Sequence, residues 1–195
     1  MRTPVPLKLA YRLLNHGPTT LITSAHGGRR NVMAAAWVMP LDFEPPKLAV
    51  VVASGTETRR LVDASGALVV HVPTRAQLDL TWTVGSVSGA DVDKFVAYGI
   101  ATAPASQVDA PLIEGCAAWL ECRVLPKPDL AAELDLFVVE VLAAWADDTV
   151  FDDGAWHLTT DTQRHLHHVA RGRFFLTGAP VDAALLEPRG PKAMP

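Results

Sequence analysis

The stretch NVMAAAWVMPLDFEPPKLAVVVASGTETR, residues 31–59, forces an order of strand, break, strand and turn on the chain. A short strand carries Asn31, the small residues Ala34, Ala35 and Ala36, and then Trp37. Pro45 and Pro46 cannot sit in a central strand, so PLDFEPP reads as a wide connection. The apolar run LAVVVA is a second strand, and it enters a Ser/Thr-rich turn that closes on Arg59. Small side chains let a flat ring lie against backbone N–H and C=O groups, and hydroxyls with an arginine offer donors to a phosphate. Together they point to a nucleotide-like cofactor.

The rest of the chain is consistent with one domain over residues 1–195, with a core over about 15–180. No apolar run reaches the roughly 18 residues of a membrane span. The N-terminus MRTPVPLKLAYRLL has no apolar signal core, so the expected compartment is cytoplasmic, without membrane contact. A net charge of −4, with Lys and Arg scattered, argues against nucleic acid as a partner. Hydrophobic residues make up 49% of the chain, and excess apolar surface in a short acidic protein is commonly hidden between subunits, so a homodimer is expected. Cys116 and Cys122 fit neither a disulfide framework nor a zinc site. They read as buried thiols on one face of a single extended segment.

Further strands are read at TTLITSA, RNVMAAAW and ALVVHV, with AHGGRRN as a hairpin loop. TETRRLVDAS reads as a short helix capped by Thr56, and RAQLDLTWTVGSVSG as a helix fraying into a Gly/Ser loop. DVDKFVAYG is another short helix, with Asp91 at its start and Gly99 as its C-cap. PLIEGCAAWLECRVL and ELDLFVVEVLAAWAD read as two long strands joined by a KPDLAAE turn, the second buried on both faces. A histidine cluster, a final strand RFFLTG and a Pro/Gly-rich end follow. Many antiparallel strands with short helices between them read as a closed β-barrel with helical insertions.

These residues resemble the flavin reductase-like group, the FMN-binding split-barrel proteins that include flavoredoxin. The matching pieces, in order, are GPTTLITSA, NVMAAAWVMPLDFEPPKLAV, TETRRLV, DVDKFVAYGI, APLIEGCAAWLECRV and LFVVEVLAAWADD, with a weaker echo at HHVARGRFFLTG. The resemblance implies a mainly β, Greek-key split barrel that dimerises and binds one FMN per subunit near the interface. Asn31 and Trp37 would lie beside the ring, with Ala34, Ala35 and Ala36 supplying backbone contacts. Thr56, Thr58 and Arg59 would take the phosphate, while Lys94 and Phe174 would reach the cofactor from neighbouring elements. Two departures stand out: His71 where members often carry Asn, and Ala170–Arg171 where they often carry Gly-Gly.

Alone, Asn31 reads equally as a residue closing the hairpin, Trp37 as core, Thr56 as an N-cap and Lys94 as a surface lysine. In order together, they read as a flavin site. His165, His167 and His168 lack a convincing partner set for metal, and strand alternation would aim His168 away from the other two. No Ser-His-Asp arrangement, Walker loop or GxGxxG is present. The expected activity is NAD(P)H-dependent flavin reduction. An electron-transfer flavoprotein served by a redox partner protein and a non-catalytic FMN-binding dimer are the rivals.

Overall fold

The computed structural model describes residues 1–185. In chain order its strands and helices are β1 (Arg2–Pro4), β2 (Thr20–His26), β3 (Arg29–Ala35), β4 (Val38–Phe43), β5 (Pro46–Val51), α1 (Glu57–Ser65), β6 (Ala67–Val72), α2 (Leu78–Ser86) and α3 (Lys94–Ala97). They continue with β7 (Thr102–Ala103), β8 (Leu112–Ile113), β9 (Ala118–Leu125), α4 (Pro128–Leu134), β10 (Leu136–Asp147), β11 (Phe151–Asp152), β12 (Ala155–Trp156), β13 (Leu166–Ala170) and β14 (Arg173–Leu176). The main sheet is antiparallel in the order β3-β2-β6-β9-β10-β5-β4, and β1 adds to β10. Among the described residues β3 and β4 are not paired with each other, so the barrel is split and not closed.

Strand alternation builds two cores on the two faces of this sheet. Ile22, Leu68, Val70, Val72, Leu120 and Cys122 point into the barrel with residues of β5 and β10. Their neighbours Leu21, Val69 and Trp119 point outward into a second cluster with Val84 of α2 and Phe95 of α3. ALVVHV is therefore apolar except at His71, because both of its faces are covered. This outer layer brings α2 and α3 to β3 and so forms the site.

His71 alternates to the outer face and is fully buried. Its Nε2 accepts from the Ile113 N–H at 3.1 Å, so Nδ1 carries the proton and donates to the Leu21 carbonyl at 3.0 Å. Burial lowers its pKa to about 4. The ring is a neutral rivet between β6, β2 and β8.

Several local expectations change. PLDF belongs to the strand β4, not to a wide connection. Phe43 pairs with Pro46 across a tight turn, and Pro46 sits at the first position of β5, where a missing N–H is tolerated. PLIEGCAAWLECRVL breaks into β8 and β9, so Cys116 precedes β9 and packs in the outer cluster while Cys122 faces the barrel. Both thiols are unpaired and buried, and burial raises both pKa values, that of Cys116 to about 12. KPDLAAE contains the helix α4, with Pro128 in its first turn and Asp135 as a left-handed cap. α3 is capped by Asp93, whose carboxylate accepts from the Phe95 and Val96 N–H groups, and Asp91 lies outside it. β10 alternates between buried and half-buried residues with a bulge between Val141 and Ala143, so only one of its faces is fully buried. The hairpin between β2 and β3 is as expected, with Gly27 and Gly28 both at positive φ. The last Pro/Gly-rich residues, 186–195, lie outside the described part.

Glu121 pins the crossing before β8 to the barrel. Its buried carboxylate accepts from the N–H groups of Ser106 at 2.9 Å and Gln107 at 2.6 Å, and from the Trp145 indole at 2.9 Å. Glu121→Ala would remove the acceptor of three part-buried hydrogen bonds and is expected to cost on the order of 3 kcal/mol. Equilibrium denaturation by urea checks this, and an unchanged midpoint would show the crossing to be held by its apolar contacts alone.

Candidate functional site

As the first strand of the sheet path, β3 pairs among the described residues on one side only, with β2. Alternate residues of such an edge leave their N–H and C=O groups facing away from the sheet. Val32 is one of these, because its carbonyl accepts from Lys94 Nζ at 2.8 Å. Ala34, two residues on, presents its backbone on the same side. α2 comes very close here. A Cβ on Gly85 would stand 3.0 Å from Ala34 Cβ, and one on Gly89 would stand 2.1 Å from Asn31 Oδ1. A Cβ at Gly85 would press on Ala34, and one at Gly89 would force the Asn31 side chain to move.

Two cavities open along this edge. The larger, about 310 Å³, lies between Asn31, Met33 and Ala34 of β3, the Gly55–Thr58 turn, the Val84–Gly89 segment and Lys94. The smaller, about 130 Å³, is lined by Ala34–Ala36, Thr81, Trp82, Gly85 and the hairpin residues His168 and Phe174. Ala34 and Gly85 are common to both.

At one end of the larger cavity stands the N-terminus of α1. Thr56 caps it, accepting from the Arg59 N–H at 3.2 Å. The Thr58 hydroxyl accepts from Asn31 Nδ2 at 2.9 Å, which ties helix to strand. Glu57, also in the wall, is buried. Its two oxygens accept from Arg60 Nε at 2.8 Å and Nη2 at 2.7 Å, and from Arg29 Nε at 3.0 Å. The bond from Arg60 is the main cause of its lowered pKa. The helix end thus keeps its positive dipole facing the cavity while its own carboxylate is neutralised from behind.

Lys94 is buried and donates to two carbonyls, Val32 and Val84, the latter at 2.6 Å in the last turn of α2. Among the described residues it pairs with no carboxylate. Burial pushes its ammonium down to about 8. At the other end, His168 stacks on Trp82 with centroids 6.1 Å apart, and Phe174 meets His168 edge-on at 5.1 Å. The Thr81 hydroxyl is buried without a hydrogen-bond partner among the described residues.

The structure brings Asn31, Ala34, Thr56, Thr58 and Lys94 around one cavity and Ala34, Ala35, Ala36 and Phe174 around the adjoining one. Trp37 and Arg59 are exceptions. Trp37 is 75% exposed and lines neither cavity, because it follows the end of β3 and turns outward. The Arg59 guanidinium donates to Asp63 at 2.8 Å, Asp135 at 3.0 Å and the Ala131 carbonyl at 3.0 Å, and lies over Phe137. Those partners draw it away from the turn, so it closes α1 onto α4 and β10. The sequence reading also passed over Gly85–Gly89, Thr81, Trp82 and Glu57. The run GSVSG, which closes α2 and leads out of it, is the signal for a close approach to a neighbouring strand.

His16, His165 and His167 gather on the opposite side of β13 from His168, as alternation requires. His165 Nδ1 lies 2.8 Å from His16 Nε2, and burial lowers the two pKa values to about 3 and about 4. His71 lines neither cavity. In the turn between β13 and β14, Arg171 and Gly172 both have positive φ, and a Cβ on Gly172 would stand 3.1 Å from the Trp82 ring.

The model of the flavin reductase like domain matches residues 12–170. The chain belongs to the flavin reductase like family. Within this family it is 46% identical over 183 residues to the uncharacterized protein YddH of Escherichia coli K12, covering 92% of this chain and 97% of that one. It superimposes with a TM-score of 0.91 on an FMN-binding domain of a flavin reductases-like enzyme from Shewanella baltica OS155, at 45% identity over 94% of this chain and 98% of that one. Flavoredoxin of Desulfovibrio vulgaris aligns with a TM-score of 0.74 at 26% identity, over 86% and 90% of the two chains.

Two predictions follow from this geometry. Gly89→Ala is expected to displace Asn31 and break its bond to Thr58, at a cost of about 1–2 kcal/mol. Denaturation midpoints test this, and a wild-type value would mean that the loop yields freely. Lys94 sets a pH dependence in the ligand-free protein. Below about pH 8 it is charged in both folded and unfolded chains, and the full burial cost is carried. Between about 8 and its ordinary 10.5 the folded chain has shed the proton that the unfolded chain keeps, so this group makes stability rise with pH. The stability of wild type minus that of Lys94→Met should rise over that window, and a flat difference would show that the two carbonyls hold the proton.

Proposed function

We propose that this chain is an FMN-dependent oxidoreductase that takes electrons from NADH or NADPH and passes them to a second acceptor. The observation that carries this reading is the single row formed by the α1 N-terminus, the bare backbone of β3 and the buried Lys94. The donor set suits a flavin mononucleotide: N–H groups and hydroxyls at Gly55–Thr58 for a phosphate, a small-residue shelf at Ala34–Ala36 for a flat ring, and the orphaned Thr81 hydroxyl beside it. The 45% identical Shewanella baltica protein, an FMN-binding domain, supports the same assignment.

Bound FMN would supply hydride acceptance and two-electron transfer. The chain's own residues would position it and tune its surroundings. Lys94 would set a positive charge at the cavity wall, and its two carbonyl bonds fix that charge before any ligand arrives. Asn31 would offer a polar contact from β3 while held by Thr58. Trp82, His168 and Phe174 would form an aromatic wall against which a second planar ring can stack while water is excluded.

A homodimer belongs to the proposal. Trp37, just before the edge strand β4, and Met39, Leu41 and Phe43 within it are all exposed. A second copy seated there would cover an apolar stripe that begins one residue beyond the smaller cavity and would bring Trp37 under cover. A cytoplasmic setting suits the two unpaired thiols. The flavoredoxin likeness favours a second reading, in which a redox partner protein and not a nicotinamide delivers the electrons.

The purified protein is expected to bind FMN with a bound-flavin absorbance spectrum and to oxidise NADH or NADPH with FMN present. FMN binding without nicotinamide oxidation would favour the electron-transfer reading, and failure to take up FMN would end both. Asn31→Ala should weaken FMN by about tenfold, as the loss of one buried hydrogen bond implies. For the dimer, Met39→Glu should shift the sedimentation coefficient to that of a monomer. A variant that stays dimeric would move the interface elsewhere.

A further inference from the structure

The turn that enters α1 is held from behind by a residue that lines neither cavity. Residues 53–56 are exposed, and Gly55 has positive φ with no atom within 4 Å of where its Cβ would stand. A turn that is open in front and carries such a glycine is ordinarily loose. We propose that Asp135, at the junction of α4 and β10, is the positioning residue for this turn, its carboxylate fixing the backbone that receives a phosphomonoester at the α1 N-terminus. The role rests on the flavin reading above and deepens it, from the groups that meet the phosphate to the group that keeps them in place.

Asp135 Oδ1 accepts from the Ser54 N–H at 3.0 Å and from Arg59 Nη1 at 3.0 Å. Its backbone carbonyl accepts from the Val52 N–H at 2.9 Å. The same Arg59 nitrogen donates to the Val52 carbonyl at 3.3 Å. One carboxylate oxygen thus joins the entry of the turn, through Ser54, to the first turn of α1, through Arg59. Thr56 closes the loop on itself, donating its hydroxyl to the Ala53 carbonyl at 2.9 Å while it caps the helix. Gly55, between two anchored residues, lines the larger cavity.

The anchor is itself rigid. Asp135 ends α4 in the left-handed conformation, with φ 55° and its N–H on the Leu130 carbonyl. Aspartate is one of the few residues that tolerate this conformation, but glycine serves such a cap better. The cap therefore does not account for the carboxylate, whereas the bonds to Ser54 and Arg59 do. Nor does Arg59 need it for neutralisation, since Asp63 already takes its Nε at 2.8 Å. The Ala131 carbonyl and the Phe137 ring hold the guanidinium on its other sides, so the shared oxygen has a stiff seat. N–H groups that are already ordered bind an anion without the loss of affinity that ordering them would bring.

The test compares Asp135→Gly with Asp135→Asn in the full chain. Glycine keeps the left-handed cap and both backbone bonds and removes only the acceptor. Asparagine keeps an acceptor oxygen and tolerates the same φ. FMN affinity should fall about tenfold in Asp135→Gly, as one lost charge-assisted contact implies, and stay near wild type in Asp135→Asn. Riboflavin, which has the ring and no phosphate, should bind all three proteins alike. The Gly55 and Thr56 amides should exchange hydrogen faster in ligand-free Asp135→Gly than in wild type. The ratio of the FMN and riboflavin affinities decides even where the glycine variant is partly unfolded, because a lost folded fraction lowers both equally. Equal losses of FMN and riboflavin, an unchanged FMN affinity in Asp135→Gly, or no recovery in Asp135→Asn would each overturn the positioning role. If wild type binds neither flavin, the flavin reading falls and inorganic phosphate becomes the probe. Saturable shifts of the Gly55 and Thr56 amide resonances that weaken in Asp135→Gly would leave the role standing, and their absence from wild type would end it as well.

Discussion

A buried ammonium with no carboxylate partner among the described residues holds this site together. Lys94 reaches from the start of α3 to the carbonyl of Val32 on the open edge of β3 and to that of Val84 in the last turn of α2. Both carbonyls would otherwise stand buried without a partner, one because β3 is an edge and one because a helix leaves its last carbonyls unsatisfied. A cation at a helix C-terminus also complements the dipole. The arrangement joins three elements at one atom and leaves a positive charge at the wall of a cavity. A carboxylate at this point would have relieved the burial cost and cancelled the charge.

The other contacts depend on how closely α2 approaches β3. Gly85 against Ala34 and Gly89 against Asn31 allow a close approach, since a Cβ would crowd Ala34 at the first contact and displace Asn31 at the second. That approach aligns the Lys94 carbonyls and shapes the two cavities on either side of Ala34. The outer apolar cluster, with Val84 and Phe95 beneath it, supplies the burial that keeps α2 and α3 in place. The split between β3 and β4 then acquires a physical meaning. If the two strands were paired, the β3 backbone would be spent on a ladder and no cavity could use it.

Much of this was legible in the residues, and the exceptions have physical causes. ALVVHV, the Gly-Gly hairpin and the Thr56 cap act locally, through strand burial, positive φ and a side-chain acceptor, and each appears as read. The strand β4 was hidden because its alternating apolar residues, Trp37 to Phe43, are interrupted by Pro40 and followed by two prolines. At an edge, with a bulge between Pro40 and Asp42, those prolines do little harm. Sequence does not reveal that Asp63, Asp135 and the Ala131 carbonyl converge on Arg59. The GSVSG loop was read as fraying because glycine marks both loose ends and close contacts, and only the fold tells them apart.

Trp37 shows the same limit from the other side. Its position after three alanines suggested a ring contact, yet in the single chain it turns to solvent with Met39, Leu41 and Phe43 beyond it. A row of large apolar side chains on an edge strand is costly to leave in water and invites pairing with another chain. The cavity lined by Ala36 lies at the start of that row. A surface that buried the row would therefore also wall the cavity, so ligand affinity and subunit affinity would be coupled through one patch. Such coupling is reciprocal. Any ligand in the small cavity that touched the second subunit would tighten the pair by the same factor by which pairing tightened the ligand.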